Sequence, residues 1–319
     1  MYLLKPLLSV RVNRHRRQLW LISGLAVVVS LIGLILSWQN PEIAAPLRPG
    51  LDFTGGTQIQ LDRKCGNACG DLTVSALEDR VQTIRLASDD ASPAPNLMGS
   101  SIQLLDEGRS VVMRLPSLSP EQVDQVIGTL EPLLGEQLTG SLSVDTIGPT
   151  LGSQLLRASL LSLLMSIVGI AVYISFRYDR INAMLALICL AHDVLLTCGL
   201  FAWLGLLIGL EVNSLFAVAL LTIAGYSVND TVVIFDRIRE KRLQLKDLSL
   251  ADQADEAVSA TLTRSIYISF TALLPLLALI FFGGSTLVWF AVAMSFGIVV
   301  GSWSSIAIAP TLLPVLSRR

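Results

Sequence analysis

The chain has 319 residues, 52% of them hydrophobic and only 15% charged, with a net charge of −2. So high an apolar content excludes an ordinary soluble domain and makes the bilayer the natural solvent. The near-neutral balance gives no footprint for a nucleic acid, and four scattered cysteines exclude a disulfide framework.

Six apolar runs, 19–38, 155–176, 183–205, 212–235, 265–283 and 286–309, are long enough to cross about 30 Å of hydrocarbon as helices. The first follows a basic segment with Lys5, Arg11, Arg14, Arg16 and Arg17. A cleaved signal has an apolar core of about 7–15 residues and a small-residue cleavage site. This run is longer and no such site follows, so it reads as an uncleaved anchor. The chain thus divides into a basic segment and first span (1–38), a large loop (39–153), and spans two to six with a charged segment at 236–264 (154–319).

The loop is long enough to bury its own core. Its pattern predicts strand Thr57–Asp62, helix Leu72–Ala87, strands Ser101–Asp106 and Ser110–Leu115, helix Pro120–Leu138 and strand Ser141–Ile147. Asp106-Glu107-Gly108-Arg109 supplies a hairpin turn. Ser119 caps the second helix, with Pro120 at its first position and Gln122 three residues after the cap. Ser88–Ser100, with Pro93, Pro95 and Gly99, reads as an irregular loop. The order βαββαβ is that of a ferredoxin-like α+β domain.

Gly55-Gly56, just before the first strand, reads as a tight backbone corner. A phosphate loop would need a lysine and a following helix, and neither is present. At the far end of the domain, Gly148, Pro149 and Gly152 mark either a hinge or a plain helix start with its first-turn proline. Cys65 and Cys69 are spaced for a local bridge outside the cytoplasm. A metal there would need two further ligands. Cys189 and Cys198, inside the third span, read as packing residues.

An ionisable side chain within a span costs about 2.5–3.5 kcal/mol on insertion scales, so such residues mark ion paths, pairs or wet cavities. Asp230, with Asn229 and Thr231, lies about 9 Å inside one end of the fourth span at 1.5 Å per residue. His192 and Asp193 lie near the middle of the third, where a hydrogen-bonded packing role competes with proton handling. Thr222, Gly225, Asn229 and Asp236 share one helical face, with Tyr226 and Asp230 beside it. Small residues on that face allow a neighbouring helix close. Asn229 and Asp230 either bind helices together or handle protons. Asp236 begins a charged exit, with surface pairing to Arg239 expected. Arg264, ahead of the fifth span, is either a snorkelling cation or the partner of Asp230. Gly297-x-x-x-Gly301 is a close-packing signal.

Lys and Arg set the orientation. They gather at the amino terminus, at Arg177 and Arg180, through 237–264, and at Arg318 and Arg319. The turns near 206–211 and 283–286 have none. Both termini are therefore expected to be cytoplasmic and the large loop extracytoplasmic, in an inner or plasma membrane.

LDFTGGTQIQL (51–61), IGPTLGSQLL (147–156), AHDVLLTCGLF (191–201), LLTIAGYSVNDTVVIFDRIRE (220–240) and TLTRS (261–265) occur in one order along the chain. Together they resemble the SecD/SecF family of protein-translocase subunits, within the resistance-nodulation-division superfamily. The resemblance implies a non-enzymatic accessory that promotes preprotein export through SecYEG, with SecA as the channel's motor, at the expense of the proton gradient. It also implies SecD as a second six-helix half, and neither cofactor nor metal. The family's intramembrane aspartate falls on Asp230 and its arginine on Arg264. Ser265-Ile-Tyr-Ile-Ser-Phe-Thr stands where the family has a run richer in hydroxyls. A small-solute or lipid exporter of the same superfamily is the alternative, against which the modest outer domain argues. An aspartyl protease using Asp193 and Asp230 would need carboxylates about 3 Å apart, and their depths differ.

Overall fold

The structure, a computed structural model, describes residues 11–64, 72–86, 95–97, 100–105, 108–135, 138 and 140–317. Cys65, Cys69, Asp106, Glu107 and most of the 88–100 loop lie outside them. The chain forms two compact units. One is Gly50–Arg157 and the other takes the remaining described residues.

After α1 (Arg16–Gln39), the first unit opens with a single turn, α2 (Leu51–Thr54), and continues through β1 (Gly56–Asp62), α3 (Val74–Thr83), β2 (Ser101–Leu105), β3 (Ser110–Leu115), α4 (Pro120–Leu134) and β4 (Ser143–Ile147). The sheet order is β2-β3-β1-β4 with every neighbouring pair antiparallel. That is the split-βαβ arrangement read from the sequence. Register places Ile59 opposite Met113 and Leu61 opposite Val111. These four, with Leu77 and Val81 of α3 and Val126 and Leu130 of α4, are fully buried. The period-two pattern of the strands and the spaced apolar residues of the helices therefore meet on one sheet face.

Local chemistry sets the helix ends. Thr73 accepts from the Ala76 amide, so α3 starts at Val74 rather than Leu72. Ser119 and Gln122 complete the expected capping box, with Pro120 in the first turn. Gly135 takes φ 74° and stops α4 at Leu134, four residues before the predicted end. β4 begins at Ser143 rather than Ser141, and the Ser141 hydroxyl donates to the Leu138 carbonyl and accepts from the Asp62 amide.

The two glycine signals prove to be one place. Gly55 and Gly56 take φ +70° and +128°, a region L side chains rarely adopt. A Cβ on Gly55 would stand 2.8 Å from Pro149 Cα, and one on Gly152 would stand 2.8 Å from the Gly55 nitrogen. Gly55 and the start of α5 (Pro149–Arg177) are thus pressed backbone to backbone, while a Cβ on Gly148 would meet nothing.

Among the described residues, six helical stretches are long and apolar enough to cross a membrane. They are α1 with its preceding turn, α5, α6 (Arg180–Ile208), α7 (Ser214–Gln244), α8 (Leu250–Phe282) and the stretch α9 (Ser285–Trp303), π-turn (Ser304–Ile308) and α10 (Ala309–Leu316). α6, α7 and the last stretch are the inner helices, more than half buried. α1, α5 and α8 keep most of their surface exposed. α7 and α8 run well beyond the predicted spans at 212–235 and 265–283, so the charged segment is a helical hairpin. Ser249 caps α8, the Gln253 amide donates to the Leu245 and Leu248 carbonyls across the turn, and Ala254, Ala257 and Val258 bury the inner face. Asn13 joins this hairpin, its side chain donating to Asp255 and to the Ala251 carbonyl. At the other end, residues 40–49 belong with the helices: Val212 donates to the Arg48 carbonyl, and Arg48 Nε lies 3.8 Å from Glu211.

The π-turn has a cause in sequence. Pro310 has no N–H for the Ile306 carbonyl, and its ring crowds that group. The ladder widens just upstream, where the Ala309 amide donates to Ser304.

Candidate functional site

Helix packing brings three inner elements together around two carboxylates. Gly297 of α9 lies so close to α7 that a Cβ there would stand 2.4 Å from Ile223. One turn on, a Cβ at Gly301 would make ordinary contact with Ser227 at 3.4 Å and Asp193 Oδ2 at 3.6 Å. The Gly-x-x-x-Gly spacing thus seats α9 against α7 and delivers the π-turn that follows it to the aspartates.

Asp193 on α6 is fully buried and Asp230 on α7 is 8% exposed. Asp193 Oδ1 lies 2.8 Å from His192 Nδ1. Its Oδ2 accepts from Ser227 at 2.5 Å and from Ser304 at 2.7 Å. Asp230 Oδ1 accepts from Ser265 at 2.8 Å, and its Oδ2 accepts from Ser305. Neighbouring residues of the π-turn therefore each hold a different aspartate. Further hydroxyls continue outward: Ser269 lies 2.7 Å from Ser302 and 2.9 Å from Tyr226. His192 Nε2 is buried with no partner among the described residues. The two carboxylates share no hydrogen bond in the described structure, which removes the geometry an aspartyl protease needs.

The other expected residues fall around this cluster. Thr222, Gly225 and Asn229 form an exposed stripe on α7, beside the buried Asp230. Arg264 does not pair with Asp230. It is exposed and lines a cleft of about 340 Å³ with Asp236, Arg237 and Glu240, and its neighbour Ser265 makes the contact instead. Asp236 pairs with Arg177 at 2.9 Å rather than with Arg239: both carry side chains to the same surface from different helices. Burial, followed by the nearness of Asp236, pushes the Tyr178 phenol far above its ordinary range. Cys189 and Cys198 are free thiols, Cys189 packing under the Ser304 carbonyl at 3.7 Å. Ser227, Ser304 and Ser305 carried no expectation from the sequence, and Ser265 only as the head of the run after Arg264. A Ser-Ser doublet shortly before a proline in an apolar run was the available signal.

Comparison with known proteins gives this arrangement a family. Residues 135–319 match the model described as protein export membrane protein SecD/SecF, C-terminal, and residues 43–65 match the SecD/SecF GG motif. The chain belongs to the SecD/SecF family. It is 52% identical to the protein translocase subunit SecF of Prochlorococcus marinus, over 96% of this chain and 94% of that one. It is 40% identical to the SecF subunit of Synechocystis, over 92% and 90%. The crystal structure of SecDF, a translocon-associated membrane protein from a Thermus species, superposes with a TM-score of 0.77 at 29% identity. The match covers 97% of this chain but only 39% of SecDF, so the chain spans about two fifths of that protein. The GG-motif match contains the Gly55–Gly56 corner, and the C-terminal match contains both aspartates and all four serines. Membership makes the chain a multi-pass membrane component of protein translocation and not an enzyme.

Proposed function

We propose that this chain works with a SecD partner to draw preproteins through the SecYEG channel, beside its motor SecA, by letting protons cross at Asp230. The observation that carries the reading is a carboxyl group buried inside a membrane span and held, among the described residues, by serine hydroxyls. A carboxylate kept there for structure is better served by a cation, whereas a hydroxyl can donate to the charged form and accept from the neutral one. One charge crossing 100 mV supplies about 2.3 kcal/mol, enough to bias a two-state element.

Fusion of SecF-like and SecD-like parts in SecDF supports a paired second half. The exposed stripe Thr222–Gly225–Asn229 supports the same partner, because a polar amide within a span needs a helix to answer it. The basic ends support cytoplasmic termini and an extracytoplasmic α+β unit. In the alternate state Arg264, one residue before Ser265, turns inward and takes over Asp230. The Pro149–Gly152 junction then passes the change to the sheet.

Asp230→Asn tests the reading in proteoliposomes holding SecYEG, SecA, SecD and this chain. Proton-dependent export is expected to be lost while assembly with SecD persists. Export that still responds to an imposed pH gradient as the unmodified complex does would reject it.

A further inference from the structure

Ser304 and Ser305 each have a choice of acceptor. Ser304 donates to Asp193 at 2.7 Å and lies 3.1 Å from its own helix's Gly301 carbonyl. Ser305 donates to Asp230 and lies 3.1 Å from the Ser302 carbonyl. A serine hydroxyl has one proton to give, so each is poised between a carboxylate and a backbone oxygen. The two residues are adjacent on a π-turn, where the regular ladder is interrupted ahead of Pro310. Such turns are rare within helices and concentrate at functional sites. Moving one serine toward or away from its aspartate moves its neighbour.

We propose that Ser304 and Ser305 couple Asp193 to Asp230, so that the protonation of either carboxyl changes the hydrogen bonding of the other through the π-turn. The proposal rests on the proton-coupled reading of Asp230 and extends it to a second carboxyl and to two positioning residues. No hydrogen bond joins the two halves directly in the described structure. The link is the rigid adjacency of two side chains on one backbone segment, a physical element that both sites bias. The titratable and charged groups around it are Cys189, His192 and Asp193 on α6, Tyr226 and Asp230 on α7, and the exposed Arg264 on α8. The described parts of α9, the π-turn and α10 bring hydroxyls and apolar groups. His192 Nδ1 lies 2.8 Å from Asp193, and its buried Nε2 has no partner among the described residues.

The experiment is isotope-edited infrared spectroscopy of the full chain with SecD in liposomes, with Asp→Asn variants assigning each carboxyl band. The pH midpoint of the Asp230 band is read with and without Asp193→Asn. In the native background that substitution is expected to move the midpoint by about half a pH unit or more, the size of coupling common between residues of one network. In Ser304→Ala the response falls to less than a third of that, and Ser304→Thr restores it. Coupling between sites is reciprocal. Asp230→Asn therefore moves the Asp193 band by the same amount, and Ser305→Ala removes that response. Either arm suffices should one alanine variant fail to assemble. A response to Asp193→Asn that is equal with and without the serines overturns the proposal while leaving proton coupling at Asp230 intact. An Asp230 band that never titrates overturns both.

Discussion

Alanine at Gly297 and alanine at Gly301 are expected to behave oppositely, although both residues belong to one small-x-x-x-small face of α9. At Gly297 the new Cβ would stand 2.4 Å from Ile223 Cδ1 and Cγ1 and 2.8 Å from Cγ2. Three atoms of one side chain are struck at once, and Ile223 is fully buried, so it has nowhere to rotate. Overpacking of this kind costs about 1–3 kcal/mol. At Gly301 the nearest atoms are 3.4 Å away, an ordinary contact with no clash to relieve. Replacing glycine by alanine inside a helix gains about 1 kcal/mol at either position, and this gain cancels in the comparison. Gly297→Ala should therefore be less stable than Gly301→Ala by about 1–3 kcal/mol, measured as the midpoint of SDS-induced unfolding in mixed micelles. Export should follow the same order, because lifting α9 from α7 withdraws Ser304 and Ser305 from the aspartates. Equal stabilities for the two variants would refute the claim that Gly297 sets the approach of α9 to α7.

Two other outcomes follow from the geometry. Gly152→Val should loosen the Gly50–Arg157 unit by about 1–3 kcal/mol, since its Cβ would press on the Gly55 backbone; hydrogen exchange along β1 in the intact chain reads the loss, and unchanged protection would contradict it. Arg177→Ala should cost only about 0–1 kcal/mol, because both side chains of the Arg177–Asp236 pair are more than a third exposed; a loss above about 2 kcal/mol in the unfolding midpoint would be too large for such a solvated ion pair.

Periodicity and turn chemistry carried most of the fold. The α+β unit followed from alternation in Gln58–Leu61, from the apolar run Val111–Met113, from the Ser119–Pro120–Gln122 cap and from the spaced apolar residues of its helices, because each is a local signal with a local cause. Helix ends beyond the spans were less legible. Apolar content marks where lipid begins, while α7 and α8 continue into water on the strength of the Ser249 cap and the inner face at Ala254–Val258. The site was half legible. A charge in an apolar run is conspicuous, so Asp193 and Asp230 stood out, but their serine partners are ordinary residues for a membrane helix. What singles them out is the register of α9 on α7, and that depends on the widening ahead of Pro310, which no periodic pattern encodes.

That Arg264 stays on the surface in this structure, as a snorkelling cation would, bears on mechanism. A guanidinium inside the bundle would stabilise only the charged carboxyl, and releasing it would mean stranding a cation away from water. Serine hydroxyls serve both protonation states, donating to the carboxylate and accepting from the acid, so they let a proton arrive or leave without an unpaired charge at either step. Arg264 on an exposed helical face keeps its hydration until it is needed. Under the proposed reading, neutral two-way partners and a solvated cation nearby would lower the barrier between the site's two protonation states. If protons cross at Asp230 as proposed, each supplies about 2.3 kcal/mol per 100 mV, so serine partners at rest spare the bundle a permanent buried ion pair whose breaking would cost about 3–5 kcal/mol, and Arg264 enters only while Asp230 is charged.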